Sequence, residues 1–173
     1  MAAPTADELR DAVDEVAVRA LISVYADVVN RRAWLELDDL MVADAPVAIH
    51  LRDRPARKFV GPRAVGEFIG DAVERFAFFE FVALNVRVML RAGSDPDRAT
   101  VRTYMCELRQ EHDGSPSRAF GLYEDEVVRT VTGWRFSARS YQSMGRGEYA
   151  LDLMPPPVIG ALDPARPELP GRG

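Results

Sequence analysis

Several residue types that build functional sites are scarce in this sequence. It has one cysteine, Cys106, in 173 residues, which excludes an intrachain disulfide and a thiolate metal cluster. Its two histidines, His50 and His112, stand 62 positions apart and share no metal-ligand spacing. Positive charge is outnumbered: 22 Lys and Arg against 27 Asp and Glu give a net charge of −5. That balance argues against a nucleic-acid partner, which calls for a basic face. No apolar run approaches the roughly 18 residues that span a bilayer. The opening MAAPTADELRDAV lacks the basic-then-apolar order of a secretion leader. The expectation is a cytoplasmic protein with no membrane partner. Glycine-rich phosphate loops and nucleophile elbows are also missing.

What is present fits one ordinary globular domain, at 47% hydrophobic and 28% charged. The domain is read as residues 1–150 and a proline-rich tail as 151–173. Thr5-Ala6-Asp7-Glu8 is a capping box that opens a long helix over about 6–30. Leu9, Val13, Val16, Ala17, Ala20, Leu21, Val24, Tyr25 and Val28 recur along it at helical spacing. Trp34, Leu37, Leu40 and Met41 mark a short second helix over 33–42. A short strand follows at 46–50, and another near Lys58–Val60. Gly61-Pro62 opens a third helix with proline at its first position. After Phe76 the period shortens to that of strands, over 78–91 and 98–111. In the first of these, Phe79, Phe81 and Ala83 alternate one way and Val86, Val88 and Leu90 the other. A bulge near Leu84–Asn85 is predicted. A hairpin over 118–142 turns at Thr130-Val131-Thr132-Gly133. Three helices on a curved, mainly antiparallel sheet make a cone-shaped α+β barrel.

Three stretches, within residues 7–143, resemble the nuclear transport factor 2-like superfamily, in its SnoaL-like branch of polyketide cyclases and dehydratases. They are Tyr25 to Trp34, Phe81-Val82-Ala83-Leu84-Asn85-Val86, and Gly121-Leu122-Tyr123-Glu124-Asp125 with Gly133-Trp134-Arg135-Phe136. The resemblance implies a homodimer and a lyase or isomerase that needs no cofactor and no metal. Its substrate would be small, hydrophobic, and polycyclic or aromatic. Where dehydratases of this type carry an aspartate and a strand histidine, this chain has Asn30 and Phe81. Neither exchanges protons near neutral pH. That departure motivates a second reading, a binding or assembly protein without catalysis.

Candidate site residues follow from face assignment. A two-residue turn pairs Thr130 with Gly133, Val127 with Phe136, Asp125 with Ala138 and Tyr123 with Ser140. Period two then puts Tyr123, Asp125, Val127, Trp134, Phe136, Ala138 and Ser140 on the apolar, inward face. A one-residue slip would turn Glu124 and Arg139 inward instead. A carboxyl enclosed by apolar groups, such as Asp125, is raised in pKa and suits acid–base work. Tyr25, on the first helix, and His50, ending the first strand, complete the proposed proton-transfer group with Tyr123 and Asp125. Asn30 either orients a ligand or caps the helix. Trp34, Phe79, Phe81 and Phe136 would supply shape and stacking. Tyr104 and Glu107 lie on opposite faces of strand 98–111, and a bulge there would let both contribute. Arg139 completes the candidate binding set.

Overall fold

The computed structural model describes residues 3–51 and 53–148, together with the backbone of 152–153. Helix α1 spans Ala6–Arg31. The capping box forms as read: the Glu8 N–H donates to Thr5 Oγ1 and the Thr5 N–H to Glu8 Oε2. The helix ends where Arg32 takes up a left-handed conformation, φ 58°. Its apolar residues divide into two stripes on opposite sides. Val18, Leu21, Ile22, Tyr25, Val28 and Val29 are buried, while Leu9, Val13, Val16 and Val24 are exposed. The single stripe read from the sequence merged these two faces, and only the spacing 18-21-22-25-29 meets the sheet.

The second helix is split. A 3-10 turn covers Trp34–Glu36 and one α-turn, α2, covers Leu37–Leu40. Strands β1 (Pro46–His50) and β2 (Arg57–Val60) form a small antiparallel pair. Helix α3 runs Pro62–Glu74. The long strands are β3 (Phe78–Leu90), β4 (Arg98–Gln110), β5 (Pro116–Thr130) and β6 (Gly133–Gly147). They form a sheet of order β2-β1-β6-β5-β4-β3. All neighbours on this path are antiparallel except β1 and β6, which are parallel. Asp152–Leu153, here β7, pairs with β6 at Arg146 and Gly145. The rest of the proline-rich tail lies outside the described residues.

Three register shifts bend the sheet. In β3, Ala83 pairs with Met105 and Asn85 with Tyr104, so Leu84 is the extra residue, where the change of parity predicted it. In β6 the shifts leave out Ser137 and Met144. The Ser137 bulge corrects the predicted hairpin. Pairing holds from Thr130–Gly133 to Val127–Phe136 and then moves by one: Glu126 faces Ala138, Asp125 faces Arg139 and Tyr123 faces Tyr141. Beyond the bulge, Ala138 and Ser140 are displaced from the interior, while Arg139, Tyr141 and Ser143 are buried. The predicted choice between Tyr123 with Asp125 and Glu124 with Arg139 therefore dissolves. Tyr123, Asp125 and Arg139 share the inner face. Glu124 lies on the outer one, bonded by Arg102 and Gln142.

Candidate active site

Between α1, α3 and the concave side of the sheet lies a cavity of about 300 Å³. Its apolar wall includes Val29, Ile49, Phe68, Ile69, Phe76, Phe79 and Phe81. Tyr25, Tyr123, Tyr141, Ser143 and Glu107 bring polar atoms to it. Tyr25 is held from α1 in an edge-on cluster, its ring centroid 5.7 Å from Phe81, 5.8 Å from Phe136 and 6.2 Å from Tyr123. Tyr123 and Tyr141, facing each other across β5 and β6, have centroids 5.1 Å apart.

Behind these rings sits a buried ion pair. Arg139 donates from Nε and Nη2 to the two oxygens of Asp125, at 2.9 and 3.1 Å. Asp125 is 2% exposed and Arg139 5%. The guanidinium carbon lies 3.9 Å from the Tyr25 centroid, 4.1 Å from Phe136 and 4.4 Å from Tyr123. Its Nη1 is buried and has no hydrogen-bond acceptor among the described residues. Aromatic faces surround the cation instead, a favourable contact when desolvated. Burial pushes the Asp125 carboxyl above its ordinary value, outweighing the pull of Arg139. Burial also opposes charge on Arg139, yet Asp125, Tyr25 and Tyr123 outweigh it and raise the guanidinium. Enclosure, with Tyr25 beside it, holds the Tyr123 phenol well above its usual range. Tyr141 is raised by burial and by the charge of Glu107. The two phenols thus keep their protons and serve as donors.

Glu107 contributes a carboxylate to the cavity wall, bonded by Arg109 through Nε at 2.9 Å and through Nη2. Strand β4 has no bulge opposite β5, so its parity is constant: Val101, Thr103 and Met105 are buried, and Glu107 follows them inward. Tyr104 is on the other parity and borders a shallow outer groove with Leu84, Phe120 and Met144. The predicted place of Tyr104 in the cone is corrected.

Three further candidates stand elsewhere. His50 alternates with the buried Ile49 and pairs with Gln142 on the outer side of the sheet, so no histidine among the described residues lines the cavity. Trp34 packs on α3, where a side chain on Gly66 or Gly70 would meet it within 3.5 Å. Asn30 is engaged with the backbone of edge strand β3: its Nδ2 donates to the Phe81 carbonyl at 3.0 Å, and the Phe81 N–H donates to its Oδ1 at 2.6 Å. It neither caps α1 nor faces a ligand. The two departures from the dehydratase pattern are thereby joined, because Asn30 uses both halves of its amide to place Phe81. Phe136 is fully buried beneath Tyr25. Sequence reasoning missed Tyr141, Ser143 and Arg109. The Ser137 bulge hid the first two, and the signal for Arg109 was its parity with Glu107.

The SnoaL-like domain model matches residues 10–140. The chain belongs to that family. Its fold is also that of several solved structures. One is a protein of Novosphingobium aromaticivorans DSM 12444, provisionally named a scytalone dehydratase: TM-score 0.70, 17% identity, covering 88% of this chain and 98% of that one. Another is hexachlorocyclohexane dehydrochlorinase LinA-type3 of Novosphingobium barchaimii LL02, with TM-score 0.69, 18% identity, and 86% and 99% covered. A third is an NTF2-like protein with a cystatin-like fold from Novosphingobium aromaticivorans, with TM-score 0.66, 22% identity, and 80% and 87% covered. No curated protein matches the chain. At these identities the likeness establishes the SnoaL-like fold. Among the described residues no helix is long and apolar enough to cross a membrane.

Proposed function

We propose that this SnoaL-like protein is a cofactor-independent lyase or isomerase, of dehydratase or cyclase type, acting on a hydrophobic ring-bearing substrate in the cone. The observation that carries the reading is the buried Arg139–Asp125 pair set directly behind Tyr25 and Tyr123. A fixed positive charge there favours negative charge developing on a substrate oxygen, at no cost of reorganisation. Tyr123, kept protonated, donates to that oxygen, with Tyr25 beside it. Glu107 is the carboxylate placed to take a proton from a carbon next to a carbonyl. In an elimination, the C–H electrons form the new double bond, Glu107 gains the proton, and the hydroxyl departs as water with the proton of Tyr123. The proton on Glu107 is then passed back to Tyr123, which restores both groups. In an isomerisation, Tyr123 stabilises the enolate and Glu107 returns the proton at another carbon. Asp125 positions Arg139 and does not itself meet the substrate. LinA-type3, which shares the fold, is by name a dehydrochlorinase, and loss of HCl is an elimination of the same kind.

A second reading, a binding protein without turnover, is favoured by Asn30 being spent on Phe81 and by His50 standing outside the cavity. Proton exchange separates the two. Incubated in D₂O with a bicyclic aryl ketone such as tetralone, the protein is expected to speed deuterium uptake at the α-carbon. Tyr123→Phe, which keeps the ring, should lower that rate by about 10²-fold or more. Tetralone that binds but exchanges no faster than in buffer would leave the binding reading standing.

A further inference from the structure

The cavity opens among arginines. Arg54, Arg57, Arg75, Arg109 and Arg146 line it, from the β1–β2 loop, β2, the end of α3, β4 and β6. The carboxylate that lines it is Glu107, already matched by Arg109. Asp53 stands between Arg54 and Arg146 and bonds both. Five positive charges against two negative ones leave a surplus of three at this mouth, in a chain whose net charge is −5.

Two of the arginines are placed to receive a ligand. The Arg57 guanidinium lies 5.1 Å from the Phe68 ring centroid, and that of Arg75 lies 4.7 Å from Phe76. Phe68 and Phe76 line the cavity too. Neither arginine forms an ion pair among the described residues. A guanidinium held against an aromatic face keeps its in-plane N–H donors for an oxyanion. Farther in, the wall turns to Phe79, Phe81, Tyr25 and Tyr123. The gradient from cationic mouth to aromatic floor suits an amphiphile.

We propose that the ligand of this cavity is a ring compound bearing an oxyanion, a carboxylate or a phosphate, which Arg57 and Arg75 bind at the mouth while the ring body occupies the aromatic interior. This rests on the reading of the cavity as a small-molecule site and adds the charge of what enters it. The anion would fix which end of the ring body reaches Tyr123 and Glu107.

The test compares three probes of one body: naphthoate, naphthyl phosphate and the uncharged methyl naphthoate, titrated by calorimetry at low and at high salt. At least one anion is expected to bind the wild-type protein about tenfold tighter than the ester, an advantage that shrinks as salt screens the mouth. Whichever anion leads identifies the oxyanion. In the double variant Arg57→Gln/Arg75→Gln the advantage should vanish while ester binding is unchanged. Arg87→Gln, on the exposed outer side of β3, should keep it. Ester binding as tightly as both anions, or a preference that survives in the double variant, overturns the proposal and leaves the small-molecule reading intact. Binding of none of the three overturns both.

Discussion

Two aspartates of this molecule are each held by an arginine of the last hairpin, and their carboxyls move in opposite directions. Asp14, on α1, is bonded by Arg129 and by the indole N–H of Trp134. Burial works to raise it, but those bonds and the nearby charges of Arg129 and Arg10 prevail and hold it below its ordinary 3.8. Asp125 has the better geometry, two-pronged from Arg139, yet it ends above that value because burial dominates. The difference lies in access to water. Arg129 keeps 31% of its side chain exposed and also reaches the exposed Asp97; Arg139 keeps 4%. A rim pair consolidates the end of the cone. An interior pair carries a desolvation cost that neither partner alone could bear, and it stands behind the tyrosines that line the cavity.

The largest expected effect breaks the interior pair. Arg139→Met should lose about 3–5 kcal/mol of stability in urea denaturation, because it leaves a buried carboxyl unpartnered. Arg129→Met should lose only about 1 kcal/mol, as its partners keep water or Arg10 nearby. Equal losses would erase the distinction between rim and interior.

A carboxylate introduced where no arginine faces it gives the next effect. Asn30→Asp replaces the amide donor by an oxygen opposite the Phe81 carbonyl. About 1 kcal/mol should be lost, that of one half-buried bond broken on an exposed side chain. Amide exchange should rise first at Phe81, on the edge strand, and unchanged protection there would remove Asn30 from the placing of β3.

The smallest effect is the most discriminating, because it concerns sign. A carboxyl lowered by folding contributes stability above its unfolded pKa and loses it as pH falls through the folded one. The deficit of Asp14→Asn should therefore grow as pH rises toward about 4 and level off above it, as expected for a lowered carboxyl. A raised carboxyl does the reverse: its contribution declines from the unfolded pKa upward to the folded one. The deficit of Asp125→Asn should accordingly shrink as pH rises from about 4. Denaturation midpoints across acid pH check both, and parallel slopes would defeat the comparison.

The same contrast explains what was legible in the sequence. The helices, the four long strands, the turn and the Leu84 bulge could be read, because apolar parity or turn chemistry marks them. Phe81 and Val86 sit on opposite parities, and only an extra residue reconciles them. The Ser137 bulge changes parity too, but the inward residues beyond it are Arg139, Tyr141 and Ser143. Hydrophobic patterning cannot see a wall built of polar groups, and the site is where the wall turns polar. Asp125 could be placed inside from its own strand, whereas its partner lay past the bulge. The arginines of the mouth come from five elements, and only the folded chain brings them together.

Gly121 closes the account of that wall. It pairs with Ser143, and a methyl group in place of its hydrogen would stand 2.7 Å from Cζ and Oη of Tyr141. The tyrosine of one strand occupies the side-chain space of its neighbour. The place of a cavity-lining phenol therefore depends on a residue with no side chain: any substituent at 121 would displace Tyr141. The space for that phenol is set by a backbone position and not by the charged groups of the wall.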